Sequence, residues 1–166
     1  MRSFLFACAL FATTTLSGQI LEINLGIENI ICPICPESLT HLLCKIDGVE
    51  NCTVIDGESL VLIAWKSDRP FTALTFHQAL QGTQFIINAV DITLDGKIEE
   101  KKGALTIVSK PDNSIFYIDN REDRICDGIK NGDKICAKCR LFSQQGSNYL
   151  VIKEILPPIA EQEEET

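Results

Sequence analysis

The sequence predicts an α+β fold in two parts, a βαββαβ sandwich followed by a small all-β barrel. Two observations support this prediction. The first part contains four strand-like runs and two apolar runs of helical period, in the order strand-helix-strand-strand-helix-strand. This order is the split βαβ arrangement, with two helices on one face of an antiparallel sheet. The second part contains five short strand-like runs that are separated by turn residues.

The predicted elements of the first part follow from local patterns. Residues 20–30 alternate apolar and polar side chains, which is the pattern of a half-buried strand. Gly48 follows an apolar stripe at helical spacing and is placed to end the first helix. Pro70 suits the first turn of the second helix, and Gly82 ends it. In order, we predict strand 20–30, helix 36–47, strand 52–55, strand 60–65, helix 70–82 and a strand that opens at residue 84.

The two ends of the chain are predicted to lie outside these parts. Residues 1–18 resemble a secretory signal peptide, because Arg2 precedes a short apolar run and small residues follow it. We therefore expect an exported protein, periplasmic or extracellular, with no transmembrane segment in the mature chain. Residues 158–166 are predicted to form an acidic, disordered tail. The formal net charge of -8 argues against a nucleic-acid partner, which would require a basic face.

Cys32 and Cys35 lie three positions apart, on the turn between the first strand and the first helix. The free N–H groups and the dipole at a helix N-terminus favour thiolate over thiol. Pro36 fits the first helical turn, and Pro33 stiffens the loop. Thiolates are soft ligands that suit Cu(I) and Zn(II), and the same spacing suits a redox disulfide.

Residues 21–88 resemble a heavy-metal-associated domain, the ferredoxin-like module of copper chaperones and of copper-pump N-termini. One position departs from the family pattern, because Ile30 stands where the family has methionine. The resemblance implies a ferredoxin-like domain over residues 19–88 that binds Cu(I), or alternatively Zn(II), through Cys32 and Cys35. It also implies a second thiol-bearing protein as the partner in metal transfer. The matching positions are Cys32 and Cys35, the helix residues Leu39 and Leu43, and the pair Gly48-Val49.

Residues 89–157 are predicted to form the barrel. Five strands with a short helical insertion at 121–129, between the third and the fourth, resemble the OB-fold, a small Greek-key barrel. The predicted strands are 90–98, 103–109, 114–118, 133–141 and 149–155.

The remaining cysteines are predicted to be structural. Loss of Cys8 with the signal peptide leaves seven of the eight cysteines, and disulfides are expected in an oxidising compartment. Cys44 is predicted to pair with Cys52. Cys126 is predicted to pair with either Cys136 or Cys139, two residues whose odd separation in a strand requires a bulge to bring them together. His41 and His77 lie on predicted helices with no motif around them.

Three functions remain open at this point. The favoured function is non-enzymatic binding of a soft metal ion, most simply Cu(I), for carriage or sequestration outside the cytoplasm. The second is a structural or interaction protein with oxidised cysteines and no metal. The third is a thiol–disulfide redox protein. No Gly-rich phosphate loop, Ser-His-Asp arrangement or pair of catalytic carboxylates is recognisable, so we do not predict an enzyme.

Overall fold

The computed structural model describes residues 19–55, 57–66, 68–109, 112–119 and 124–157. The signal peptide predicted at 1–18 and the acidic tail predicted at 158–166 lie outside these residues. No helix in the described ranges combines the length and the apolar character needed to cross a membrane. In chain order, the elements are β1 (Ile20–Glu28), α1 (Cys35–Leu43), β2 (Val49–Ile55), β3 (Leu60–Trp65), α2 (Leu74–Ala79), β4 (Ile86–Lys101), β5 (Ala104–Val108), β6 (Ile115–Ile118), a 3-10 turn (Arg124–Cys126), β7 (Lys134–Gln144) and β8 (Ser147–Leu156).

One eight-stranded sheet contains all of these strands, in the order β2-β3-β1-β4-β5-β6-β8-β7. The 16-residue strand β4 is common to both halves of the chain. Its first part pairs with β1, where Leu25 lies opposite Val90, and its last part pairs with β5, where Ile98 lies opposite Ile107. The backbone therefore continues from the first half into the second through a single strand.

Strands β4, β5, β6, β8 and β7 close into a five-stranded barrel. Closure comes from the pairing of β4 with β7, where Ile92 lies opposite Cys139. All neighbouring strands of the barrel are antiparallel except β6 and β8, which are parallel. The predicted five-stranded barrel is thus confirmed, and it is compatible with an OB-like fold.

The predicted ferredoxin-like α+β sandwich is wrong. Strands account for 52% of the described residues and helices for 14%, and only one helix has seven or more residues. The structure is a closed barrel with additional strands rather than a helix-covered sandwich. The division into a metal-binding unit at 19–88 and a barrel at 89–157 stays a prediction. A boundary at that point falls within strand β4, which pairs with strands of both halves.

The second helix is the element in which the prediction fails, because α2 spans only six residues. In the segment predicted to begin this helix, the backbone of Phe71 is hydrogen-bonded to side chains of the barrel half. The N–H group of Phe71 donates to Oγ of Ser114 at 3.1 Å, and its carbonyl oxygen accepts from Nδ2 of Asn148 at 3.0 Å. N–H groups of a first helical turn have no partner within the helix, so it is the bond to the Phe71 carbonyl that competes with a helix there. The segment that follows Pro70 stays non-helical until Leu74.

A cluster of aromatic rings joins the two halves of the molecule. Phe71 lies at its centre, with its ring centroid 5.2 Å from that of Trp65 and 6.2 Å from that of Phe116 on β6. Phe76 on α2 completes the cluster at 6.0 Å from Phe71. Phe76 and Phe116 are fully buried and Phe71 is nearly so, and burial of rings of this size contributes strongly to stability.

Glycine is required at two positions in this architecture. Gly48 has a φ of 106° and lies under the Trp65 ring, which a Cβ atom would approach to 2.5 Å. Gly96 lies where β4 passes from β1 to β5, and a Cβ atom there would lie 2.4 Å from Cγ2 of Ile107. In both places a side chain would have to displace a packed neighbour, so the close approach depends on glycine.

Candidate functional site

The Cys32–Cys35 loop lies between the end of β1 and the start of α1. The chain leaves β1 through Asn29, which has a φ of 68°, and turns back on itself so that the Cys35 N–H group donates to the Cys32 carbonyl at 3.0 Å. Cys35 is the first residue of α1, and Pro36 follows it in the first turn. The predicted position of the pair at a helix N-terminus is therefore correct.

The two sulfur atoms of this loop are bonded to each other as a disulfide, with the Cα atoms 5.1 Å apart. The two cysteines differ in exposure. Cys35 is 1% exposed and belongs to the hydrophobic core, whereas Cys32 is only partly buried. An attacking thiolate thus has better access to the sulfur of Cys32 than to that of Cys35.

Two N–H groups point at the buried sulfur. Nε2 of Gln84 lies 3.0 Å from Sγ of Cys35, and the backbone nitrogen of Cys32 lies 3.3 Å from it. Gln84 is held in place by Asn29, whose Nδ2 donates to the Gln84 carbonyl at 2.9 Å. Donors aimed at a sulfur atom favour its thiolate over its thiol, and the helix dipole acts in the same direction.

The surface around the loop is apolar and open. Ile31 is 85% exposed and Ile34 is 68% exposed, and these two side chains flank the more accessible sulfur in sequence. Cys32 also lines a surface depression between the loop and the turn that joins β2 to β3. The other lining residues include Pro33, Pro36, Val54, Glu58 and Ser59.

The two predicted metal ligands, Cys32 and Cys35, are thus brought together, but no third ligand joins them. Within the described ranges, no group of three or more His, Cys, Asp or Glu side chains is arranged to hold a metal ion. Two thiolates on one loop fit a soft ion that accepts two sulfur ligands, as Cu(I) does.

Cys44 and Cys52 lie at the other end of α1. Cys44 follows the last helical residue and is exposed, whereas Cys52 is buried on β2. Their sulfur atoms are 2.9 Å apart, and Sγ of Cys52 also donates to the Thr40 carbonyl at 3.5 Å. Burial, together with the hydrogen bond between Cys52 and Cys44, raises the pKa of Cys52 to about 12. Cys52 is therefore a thiol at neutral pH.

The barrel cysteines are buried thiols in the structure. Cys126, Cys136 and Cys139 are all at most 5% exposed. The β7–β8 pairing shifts register between Lys138 and Cys139, but Cys139 belongs to the core cluster and Cys136 does not. Burial, together with the nearby Cys126 and Cys136, raises the pKa of Cys139 to about 12, and burial also raises the pKa of Cys136. Cys136 and Cys139 therefore resist ionisation and are poor nucleophiles in the folded protein.

Sequence reasoning did not identify Gln84 as a site residue. It placed Gln84 at the opening of a strand, 49 positions from Cys35. No local pattern marks an isolated glutamine as a donor to a distant sulfur, because only the approach of the segment before β4 to the start of α1 creates that contact. His41 and His77 are both exposed.

No family model matches the chain, and no curated protein or solved structure matches it either. The resemblance to heavy-metal-associated domains therefore stays a prediction that depends on the residues named above.

Proposed function

We propose that the protein takes part in thiol–disulfide exchange through Cys32 and Cys35. The observation that carries this proposal is the pair of N–H donors, from Gln84 and from the Cys32 backbone, on the buried sulfur of Cys35. Such donors favour the state in which Cys35 is a thiolate, and that state arises when the disulfide opens. The proposed pair is therefore a ready acceptor of electrons.

The reaction has two steps, and its co-reactant is a dithiol on a partner protein. A partner thiolate attacks Sγ of Cys32, a new intermolecular S–S bond forms, and the Cys32–Cys35 bond breaks with Cys35 leaving as a thiolate. The second thiol of the partner then loses its proton and attacks the partner sulfur that is bonded to Cys32. This step forms a disulfide within the partner and releases Cys32 as a thiolate. The partner is oxidised by two electrons, and Cys32 and Cys35 are reduced and take up two protons.

The surroundings of the loop support a protein partner. Ile31 and Ile34 present apolar area to solvent beside Cys32, and such area stabilises contact with an extended peptide. The predicted export would place the pair in a compartment where disulfides form and exchange. Repeated turnover requires a second protein or small thiol couple that reoxidises the pair.

Replacement of Gln84 by leucine is expected to make the Cys32–Cys35 disulfide harder to reduce. The change removes a donor that stabilises the Cys35 thiolate without removing either cysteine. Loss of a hydrogen bond to a charged group costs about 1.5 kcal/mol, which corresponds to a reduction potential lower by roughly 30 mV. To measure the reduction potential, the protein is equilibrated with a series of glutathione redox buffers, and its free thiols are then trapped and counted.

The matched control is Gln81→Leu, an exposed glutamine three positions earlier in the same segment. Its potential should equal that of the unchanged protein. A Gln84→Leu potential that is unchanged or raised would contradict the proposed role of the donor.

Binding of Cu(I) by the reduced pair is the second candidate function, and a specific feature favours it. Once reduced, the loop presents two sulfur ligands beside a helix N-terminus, and one of them lines an open depression. A carrier that passes its ion to another thiol pair needs such an accessible ligand. Cys32 and Cys35 would hold the ion, and the exposed isoleucines would shield it from water.

A competition titration of the reduced mature protein against a chromogenic Cu(I) chelator separates the two candidates. A carrier is expected to hold one Cu(I) per chain, and the Cys32→Ser/Cys35→Ser variant is expected to lose that ion. Copper retained equally by the variant would exclude this pair as the binding site. Exchange activity without stoichiometric copper would leave the redox function alone.

A further inference from the structure

The end of α1 opposite the Cys32–Cys35 loop carries a second pair of sulfur atoms in near-bonding position. The sulfur atoms of Cys44 and Cys52 are 2.9 Å apart, whereas a covalent S–S bond measures about 2.05 Å. Closure therefore needs a side-chain movement of about 1 Å. Cys32 and Cys35, at the opposite end of α1, are already bonded to each other.

The backbone holds both members of the pair in place. The Cys44 N–H group donates to the Thr40 carbonyl at 2.9 Å and continues the hydrogen bonding of α1. Cys52 lies opposite Ile63 in the β2–β3 ladder. The connecting segment is short and is itself anchored, because Ile46 and Val49 are buried and the Val49 N–H group donates to the Ile46 carbonyl at 3.0 Å. The two sulfurs thus stay opposed without any rearrangement of the chain.

We propose that Cys44 and Cys52 form a second disulfide in the mature protein, which ties the C-terminal end of α1 to β2. This site is separate from the Cys32–Cys35 pair and does not depend on the function proposed for that pair. It would fix both ends of the helix that carries Cys35, one through the loop disulfide and the other through the sheet.

The difference in exposure within the pair defines the route of oxidation. Cys44 is exposed and Cys52 is buried, so an external oxidant meets Cys44 first. With oxidised glutathione as the oxidant, the Cys44 thiolate forms a mixed disulfide and releases one glutathione thiolate. Cys52 then loses its proton to solvent base and attacks Sγ of Cys44, which releases the second glutathione. The two cysteines lose two electrons and two protons, and one oxidised glutathione becomes two reduced molecules.

The sequence offers a direct way to detect this bond. Trypsin cleaves after Lys45, between the two cysteines, and after Lys66, so that Cys52 is the only cysteine of fragment 46–66. Cys44 lies in the preceding fragment together with Cys32 and Cys35. Replacing Cys32 and Cys35 by serine leaves Cys44 as the only cysteine of that fragment, so a linked pair of fragments then has one interpretation.

The experiment uses the mature Cys32→Ser/Cys35→Ser chain, reduced, desalted and incubated with oxidised glutathione. Free thiols are blocked with N-ethylmaleimide in denaturant, and the tryptic fragments are mapped by mass spectrometry without reduction. The expected result is that most of fragment 46–66 is linked to the Cys44 fragment. In a further Cys44→Ser variant, this linkage should be lost and fragment 46–66 should carry the maleimide.

Three results would overturn the proposal: both cysteines blocked by maleimide, Cys44 carrying glutathione with Cys52 blocked, or either cysteine linked to a barrel cysteine. The same mapping of the unchanged chain guards against a folding defect of the variants. In the unchanged chain, Cys44 and Cys52 must both be protected from maleimide under conditions that fully oxidise Cys32 and Cys35.

Discussion

Replacement of Cys35 by alanine is expected to abolish turnover, because Cys32 then has no internal sulfur with which to form the disulfide that the partner reduces. In the reverse of the proposed reaction the accessible Cys32 thiol still attacks a partner disulfide, and the step in which Cys35 would release that partner is missing. The result should be complete loss of turnover together with stable adducts on Cys32. The adducts are detected by separating cell extract on non-reducing gels, and the trapped partners are identified by mass spectrometry.

The matched variant is Cys32→Ala, which leaves only the sulfur of Cys35. Because that residue is 1% exposed, we expect equal loss of turnover but few or no adducts. Both variants should carry Cys44→Ser, so that the exposed sulfur at position 44 contributes no adducts in any molecules in which it is not bonded to Cys52. Equal trapping by the two variants would contradict the assignment of Cys32 as the attacked sulfur. Adducts that form only in the presence of copper, and that are lost when a copper chelator is added, would instead favour metal transfer.

Replacement of Phe71 by alanine is expected to lower the free energy of unfolding by about 3–5 kcal/mol. Phe71 is 3% exposed and lies at the centre of the ring cluster, between Trp65 of the first half and Phe116 of the barrel. Truncation of its ring leaves a cavity where the two halves meet. Urea unfolding of the reduced protein measures the loss. Leu74→Ala, a change at a 45% exposed position in α2, should alter stability by less than about 0.5 kcal/mol.

The placement of the chromophores makes the same experiment a test of cooperativity. The single tryptophan, Trp65, lies on β3, and both tyrosines, Tyr117 and Tyr149, lie on barrel strands. Trp65 fluorescence therefore reports on the first half, and the near-ultraviolet signal of tyrosine reports on the barrel. Because β4 belongs to both halves, we expect the two signals to change at the same urea concentration. Separate transitions would show that the halves unfold independently, as the predicted division near residue 88 implies.

Local patterns were sufficient for most of the strands. The strand predicted at 60–65 coincides with β3, and the barrel strands differ from their predictions by a few residues at the ends. These segments are short runs rich in apolar, β-branched and aromatic residues, and turn residues separate them, so local composition and turn signals were sufficient to predict them. The position of Cys35 at a helix N-terminus was also predicted correctly, because Pro36 and the apolar stripe beyond it mark the start of α1.

The failure of the α+β prediction has a particular cause. The residues around Pro70 have a good helix-start pattern, and sequence reasoning extended a helix from there to Gly82. In the structure the Phe71 N–H group donates to Ser114 instead, and the Phe71 carbonyl accepts from the side chain of Asn148. These partners lie 43 and 77 positions away along the chain, so no local window contains the competing interaction.

The sequence by itself determined the elements that depend on neighbouring residues: the strand periods, the barrel's series of short strands, the thiol loop at a helix start and the close spacing of Cys32 and Cys35. Tertiary structure alone decided how the elements combine. It made β4 a strand common to both halves of the chain, placed Nε2 of Gln84 beside the sulfur of Cys35, and set the sulfur atoms of Cys44 and Cys52 2.9 Å apart. The physical reason is the sequence separation of the interacting residues. Hydrophobic periodicity and helix capping involve residues a few positions apart, whereas side-chain packing and the placement of hydrogen-bond donors depend on segments that meet only after the chain has folded.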